Sequence, residues 1–121
     1  NIVILGISFK VGTPVIEESV GIKLLNNLLI NNRKKTITAV DQLGLAATKE
    51  IFDDNILYSD DVDEAIKNAN IIVLINPEKY FIKAIEESKP LNQVTIIDCW
   101  RVLDKTRKHE NIKLIRIGEF I

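Results

Sequence analysis

Asn1-Ile2-Val3-Ile4-Leu5-Gly6-Ile7-Ser8-Phe9-Lys10-Val11-Gly12-Thr13 opens the chain, and its reading decides the fold. Ile2 to Ile7 is an apolar run interrupted only by glycine, the pattern of a strand buried on both faces. An aromatic, a lysine and a second glycine follow. Then Val20, Leu24, Leu25, Leu28 and Leu29 recur at helical spacing. In an open α/β fold, the junction from strand through loop to helix is where a ligand phosphate is met. Two helix starts fit the residues. Thr13 can cap with Pro14 at the first helical position, or Ser19 can cap a shorter helix.

Outward from this stretch the same alternation repeats. Thr36 to Val40 is expected as a second strand ending at Asp41, after a polar break at Asn31 to Lys35. A helix is expected over Leu43 to Phe52, then a short strand at Ile56 to Tyr58. A short helix over Asp61 to Ala69 takes Ser59 or Asp60 as its cap. Ile71 to Ile75 is the second strongly apolar strand, and Pro77 is expected to open a helix reaching about Ser88. Val94 to Asp98 and Lys113 to Ile117 complete the set, the last closed by Gly118. Strands alternating with helices predict an α/β, Rossmann-like three-layer domain with a mostly parallel sheet.

Composition narrows the classes. The chain has 121 residues, of which 46% are hydrophobic, enough for one domain with a real core. Sixteen basic against 17 acidic residues give a net charge of -1. Nothing in that balance attracts nucleic acid or an anionic membrane. No apolar run approaches the ~18 residues of a membrane span. The lone Cys99 has no partner for an internal disulfide. The expected setting is the cytoplasm, with no nucleic acid and no membrane as partner. The chain contains no methionine, and we expect it to be a piece of a larger protein.

The first loop is the leading candidate site. Lys10 would bring a mobile positive charge to a phosphate, Phe9 would pack on a base or sugar, and Gly12 permits close backbone approach. After Gly6 the next glycine is Gly12, so the GxGxxG dinucleotide fingerprint is absent. The plainer reading is a solvated lysine beside a core phenylalanine. Glu17 and Glu18 would oppose a phosphate and are expected to point away, serving a helix N-terminus. Asp41 stands where dinucleotide folds hold a ribose hydroxyl, but a strand-end turn residue is preferred. Asp98-Cys99-Trp100-Arg101 follows another inner strand. Trp100 offers a stacking face and Arg101 a forked donor. A catalytic pair of Cys99 with the only histidine, His109, is disfavoured, because His109 lies in the charged run Lys105 to Glu110. A metal site is disfavoured too, for want of Cys and His ligands.

Taken together, Gly6, Phe9-Lys10, Thr13 and Glu18-Ser19 resemble the opening of the C-terminal domain of the UDP-glucose/GDP-mannose dehydrogenase family. Asp41, the Ile71 to Phe81 strand and turn, Asp98-Cys99-Trp100-Arg101-Val102-Leu103-Asp104 and Ile117-Gly118 follow in the same order. The resemblance covers essentially the whole chain. It implies the nucleotide-sugar-binding domain of an NAD-dependent 6-dehydrogenase that oxidises a UDP-sugar or GDP-sugar alcohol to a carboxylate for polysaccharide precursors. It implies substrate contacts at Phe9 and Lys10, with Arg101 as a second cation. It places NAD, the catalytic cysteine and the lysines on N-terminal and central domains outside this chain. The fragment alone is then inactive, and the complete protein a homo-oligomer. Departures stand at Pro14, Val15, Glu17 and Trp100. The alternative is a non-enzymatic regulatory or structural nucleotide-binding module.

Overall fold

The computed structural model describes residues 1–31, 35–104 and 109–118. Six strands form one sheet: β1 (Ile2–Leu5), β2 (Ile37–Val40), β3 (Leu57–Ser59), β4 (Ile71–Leu74), β5 (Val94–Asp98) and β6 (Ile112–Arg116). Their spatial order is β3-β2-β1-β4-β5-β6, and every pairing is parallel. The helices are α1 (Val20–Asn31), α2 (Leu45–Phe52), α3 (Val62–Ile66) and α4 (Lys79–Glu87), with a single 3-10 turn at Asp53–Asn55. No helix among the described residues is long and apolar enough to cross a membrane.

The expected fold class is present, and β1 shows why an unbroken apolar run was its signal. Successive residues of a strand face opposite sides of the sheet. Val3 and Leu5 join one core layer, with Val62 of α3 and Phe81, Ala84 and Ile85 of α4. Ile2 and Ile4 join the other, with Leu25 of α1 and Phe52 of α2. Both faces being covered, no polar position is tolerated along the strand.

Boundaries shift where side-chain chemistry intervenes. β1 stops at Leu5 because Gly6 turns to a φ of 102°, although Ile7 stays buried. Of the two starts for α1, Ser19 is used: its Oγ accepts the Ile22 N–H at 3.3 Å while donating to the Ile7 carbonyl. Thr13 instead donates to the Lys10 carbonyl inside a turn. The cap of α3 is neither Ser59 nor Asp60 but Asp61, whose side chain accepts the Glu64 N–H at 3.1 Å. Ser59 works one step earlier, accepting the Asp61 N–H. Pro77 does not open α4. Glu78 is still extended, with ψ at 135°, and the helix begins at Lys79. α2 begins at Leu45 rather than Leu43, after a turn in which Asp41 accepts the Leu43 and Gly44 N–H groups. The polar break after α1 falls partly on residues 32–34, and the charged run before His109 on residues 105–108; both lie outside the described residues.

Candidate functional site

A parallel sheet places the loops that follow its strands along one edge. Here that edge carries Gly6 to Ser19 after β1, Asp41 to Gly44 after β2, Ile75 to Glu78 after β4, and Cys99 to Leu103 after β5. The chain leaves β1 toward β2 on one side and leaves β4 toward β5 on the other. The switch point therefore lies between β1 and β4, where open α/β sheets take their ligands.

The two loops at the switch point touch. A Cβ on Gly6 would stand 2.6 Å from the Asn76 Cβ and 2.9 Å from its backbone N. With φ at 102°, glycine is required there twice over. Asn76 is 6% exposed, and its Nδ2 donates to the Ser8 carbonyl at 3.0 Å. α1 is drawn in as closely: a Cβ on Gly21 would meet the Gly6 carbonyl oxygen at 2.8 Å. Gly6 and Gly21 thus supply a tight turn and a close helix–strand approach, separated by a longer loop than a dinucleotide fingerprint allows.

The root of this loop hangs on Asp41, which is 5% exposed. Its Oδ2 accepts the N–H groups of Ile7 (2.7 Å) and Ser8 (2.9 Å) and the Ser8 hydroxyl (3.1 Å). Its Oδ1 accepts the N–H groups of Leu43 (2.9 Å) and Gly44 (3.2 Å). Burial alone would raise this carboxyl, but the four backbone donors outweigh it and hold the group below its ordinary 3.8. The nearby Tyr80 hydroxyl is pushed above its ordinary 10, first by burial and then by the charges of Asp41 and Glu78. Asp41 is therefore the strand-end turn residue. Both its oxygens are occupied, so it has no open side for a ribose. With the glycine fingerprint also missing, these residues do not fit NAD.

Beyond that root, Phe9 and Lys10 turn outward. Phe9 is 48% exposed, and the Lys10 Nζ lies over its ring, 5.9 Å from the centroid. Gly12, at φ 82°, closes the turn in which Thr13 reaches back to Lys10. Glu17 and Glu18 are exposed and precede the cap Ser19, outside the first turn of α1. Glu18 faces Lys23 at 3.6 Å.

Across the switch point, the β5 loop is built on a second buried carboxylate. Asp98, fully buried, accepts the N–H of Trp100 at 3.0 Å and of Leu103 at 2.9 Å. The Trp100 indole N–H donates to the Ile75 carbonyl, tying this loop to that of β4, while 57% of the residue stays exposed. Arg101 stands at the apex with φ at 54°, and its carbonyl accepts from the Arg116 guanidinium at 2.8 Å. The structure thus puts Phe9 and Lys10 on one loop and Arg101 on the same edge two strands away, about 10 Å by strand spacing.

Cys99 and His109 are not brought together. Cys99 follows β5 at this edge. His109 precedes β6 at the opposite edge, since Val94 is in register with Ile112, and its Nδ1 accepts the Asn111 N–H. Burial and the Asp98 charge push the Cys99 thiol up, which keeps it protonated. No group of three or more metal-ligating side chains occurs among the described residues. A groove of about 580 Å³ between α3 and α4 lies toward the opposite edge, lined by Ile66, Ile72, Pro90 and Leu91 among others, and contains none of the predicted site residues. Sequence reasoning did not single out Ser8, Asn76 or Asp98 as builders of the site. The signal for Asp98 was available: an aspartate closing a strand before a loop is the pattern of a side chain that caps following N–H groups.

Strand order and switch-point loops define an open doubly wound α/β domain. The model of the UDP-glucose/GDP-mannose dehydrogenase family, UDP binding domain, matches residues 3–105, and the chain belongs to that family. It is 31% identical to a UDP-glucose 6-dehydrogenase of Rickettsia conorii over the whole of this chain, and 34% identical to that of Rickettsia prowazekii over 86% of it. It is 39% identical to that of Rickettsia felis over 61%. The chain spans only 28%, 24% and 16% of the lengths of these relatives, respectively.

Proposed function

We propose that this domain binds the nucleotide-sugar substrate of an NAD-dependent UDP-sugar 6-dehydrogenase, and that the parent protein oxidises a sugar alcohol to the carboxylate for polysaccharide precursors. The observation that carries the reading is the coincidence of the family match with Lys10 and Arg101 on loops at the same sheet edge. Lys10 offers a compact charge to the diphosphate, Arg101 a planar fork, and Phe9 an apolar wall for the sugar or base. The NAD that serves as hydride acceptor in such an enzyme is assigned to domains outside this chain, which agrees with the closed geometry of Asp41. We place the protein in the cytoplasm, with its N-terminal and central domains as intramolecular partners and a homo-oligomeric assembly.

Calorimetry on the parent protein tests the site. Lys10→Ala is expected to weaken UDP-glucose binding about tenfold, the scale of one partly screened charge-assisted contact. Unchanged affinity removes Lys10 from the site. UDP-glucose, UDP-N-acetylmannosamine and GDP-mannose, compared in the same titration, identify the sugar.

A further inference from the structure

We infer that Asp41 is a positioning residue for ligand binding: its buried carboxylate holds the root of the β1–α1 loop in the one shape that presents Phe9 and Lys10 to the diphosphate of a nucleotide sugar. This rests on the reading of the site given above.

Three observations carry it. First, the two oxygens divide their work. Oδ2 takes the Ile7 N–H, the Ser8 N–H and the Ser8 hydroxyl, all on the strand-one loop, while Oδ1 takes Leu43 and Gly44 of its own turn. A single rigid group thus sets the loop relative to the sheet, one residue before Phe9. Second, the loop root is gripped from the other side, where Asn76 donates to the Ser8 carbonyl and Ser19 donates to the Ile7 carbonyl. Beyond Ser8 the Phe9 and Lys10 side chains are exposed, and the tip closes only on itself, the Phe9 N–H donating to the Val15 carbonyl and Thr13 to the Lys10 carbonyl, so the direction of that turn as a unit is set by the root behind it. Third, the turn after β2 packs closely on the loop root. A Cβ at Gly44 would come within 3.0 Å of the Ser8 Oγ and 3.6 Å of the Asp41 Cγ.

The carboxylate is needed because every contact it makes is with a donor. An asparagine has one oxygen, and its amide would set N–H groups against the N–H groups of either Ile7 and Ser8 or Leu43 and Gly44. The loop root would then be free to swing. Asp98 repeats the device on the facing loop, accepting Trp100 and Leu103 on either side of Arg101. None of the hydrogen bonds of Asp98 is made to Asp41 or to the residues that Asp41 holds.

A double-mutant cycle on the parent protein separates this role from a general loss of structure. UDP-glucose is titrated into wild type, Asp41→Asn, Lys10→Ala and the double variant. Asp41→Asn is expected to weaken binding about tenfold or more. In the Lys10→Ala background the same change is expected to cost about threefold or less, because only Phe9 is left to misplace. Additive losses, or an unaltered affinity in Asp41→Asn, overturn the inference. Where Asp41→Asn does not fold, Ser8→Ala removes one of its contacts with the charge kept, and a loss of about threefold with the same non-additivity is expected; an additive or absent effect overturns it equally. A wild-type protein that binds no UDP-sugar defeats the reading of the site itself. A wild type that binds, with an additive cycle, defeats only the role of Asp41.

Discussion

Arg101 is held where side chains are seldom held. A left-handed backbone costs an L-residue about 1–2 kcal/mol, and glycine at φ 54° would avoid that cost. Glycine also loses more chain entropy on folding, about 0.5–1 kcal/mol. Arg101→Gly is therefore expected to leave stability unchanged or raise it by up to about 1 kcal/mol, while weakening UDP-glucose binding. Thermal unfolding and calorimetry on the same variant read the two effects, and a destabilised variant with normal affinity refutes the assignment. Asp41 behaves in the opposite sense. Its carboxyl titrates below the ordinary 3.8, so its contribution to stability is fully present above that value. The contribution is lost as pH falls through the depressed folded value. Acid unfolding of wild type is expected to steepen below about pH 4, and Asp41→Asn, destabilised by about 3 kcal/mol at neutral pH, is expected to lack that component. Neither residue was fully legible beforehand. The arginine was visible as a cation, but φ is not written in a residue name. The aspartate was visible as a strand end, but its partners on the first loop are 33 and 34 residues away in sequence.

At the scale of elements, the contact between α1 and the end of β1 carries the site. A methyl group at Gly21 would press on the Gly6 carbonyl and the Ile7 Cα, at 2.8 and 3.1 Å, and backbone atoms cannot turn aside. Gly21→Ala is expected to cost about 2 kcal/mol by forcing α1 outward, measured by urea unfolding. Gly12→Ala meets nothing within 4 Å, so its cost is only the left-handed penalty of about 1 kcal/mol. A reversal of that order would deny the close approach. The existence of the strands was readable from apolar runs, because a sheet covered on both faces admits little else. Helix starts were less so. Ser59, Asp60 and Asp61 are all capable caps, and the choice falls to whichever places an oxygen beside the right N–H after the chain has turned. Pro77 suits a first helical position, yet the chain is still extended at Glu78.

For the whole molecule, the expected outcome is binding without turnover. The 121-residue chain mixed with UDP-glucose and NAD is expected to give no absorbance from NADH, since Cys99 stays a protonated thiol and His109 lies at the far edge. Reduction of NAD by this chain alone would overturn that division of labour. The sheet topology was legible as a class, from alternation, but not as an order, because adjacency between distant parallel strands leaves no local mark. That order has a bearing on synthesis. β1 lies in the middle of the sheet and pairs Ile2 with Ile37 on one side and with Ile71 on the other. Its second partner is thus made 69 residues after it. At ribosomal speeds of roughly 5–20 residues per second, that is a wait of about 3–14 s with a greasy, half-paired strand in the open. A strand made only of Ile, Val and Leu thus waits for its second neighbour through most of the domain's translation, and there a nascent-chain chaperone has apolar surface to shield.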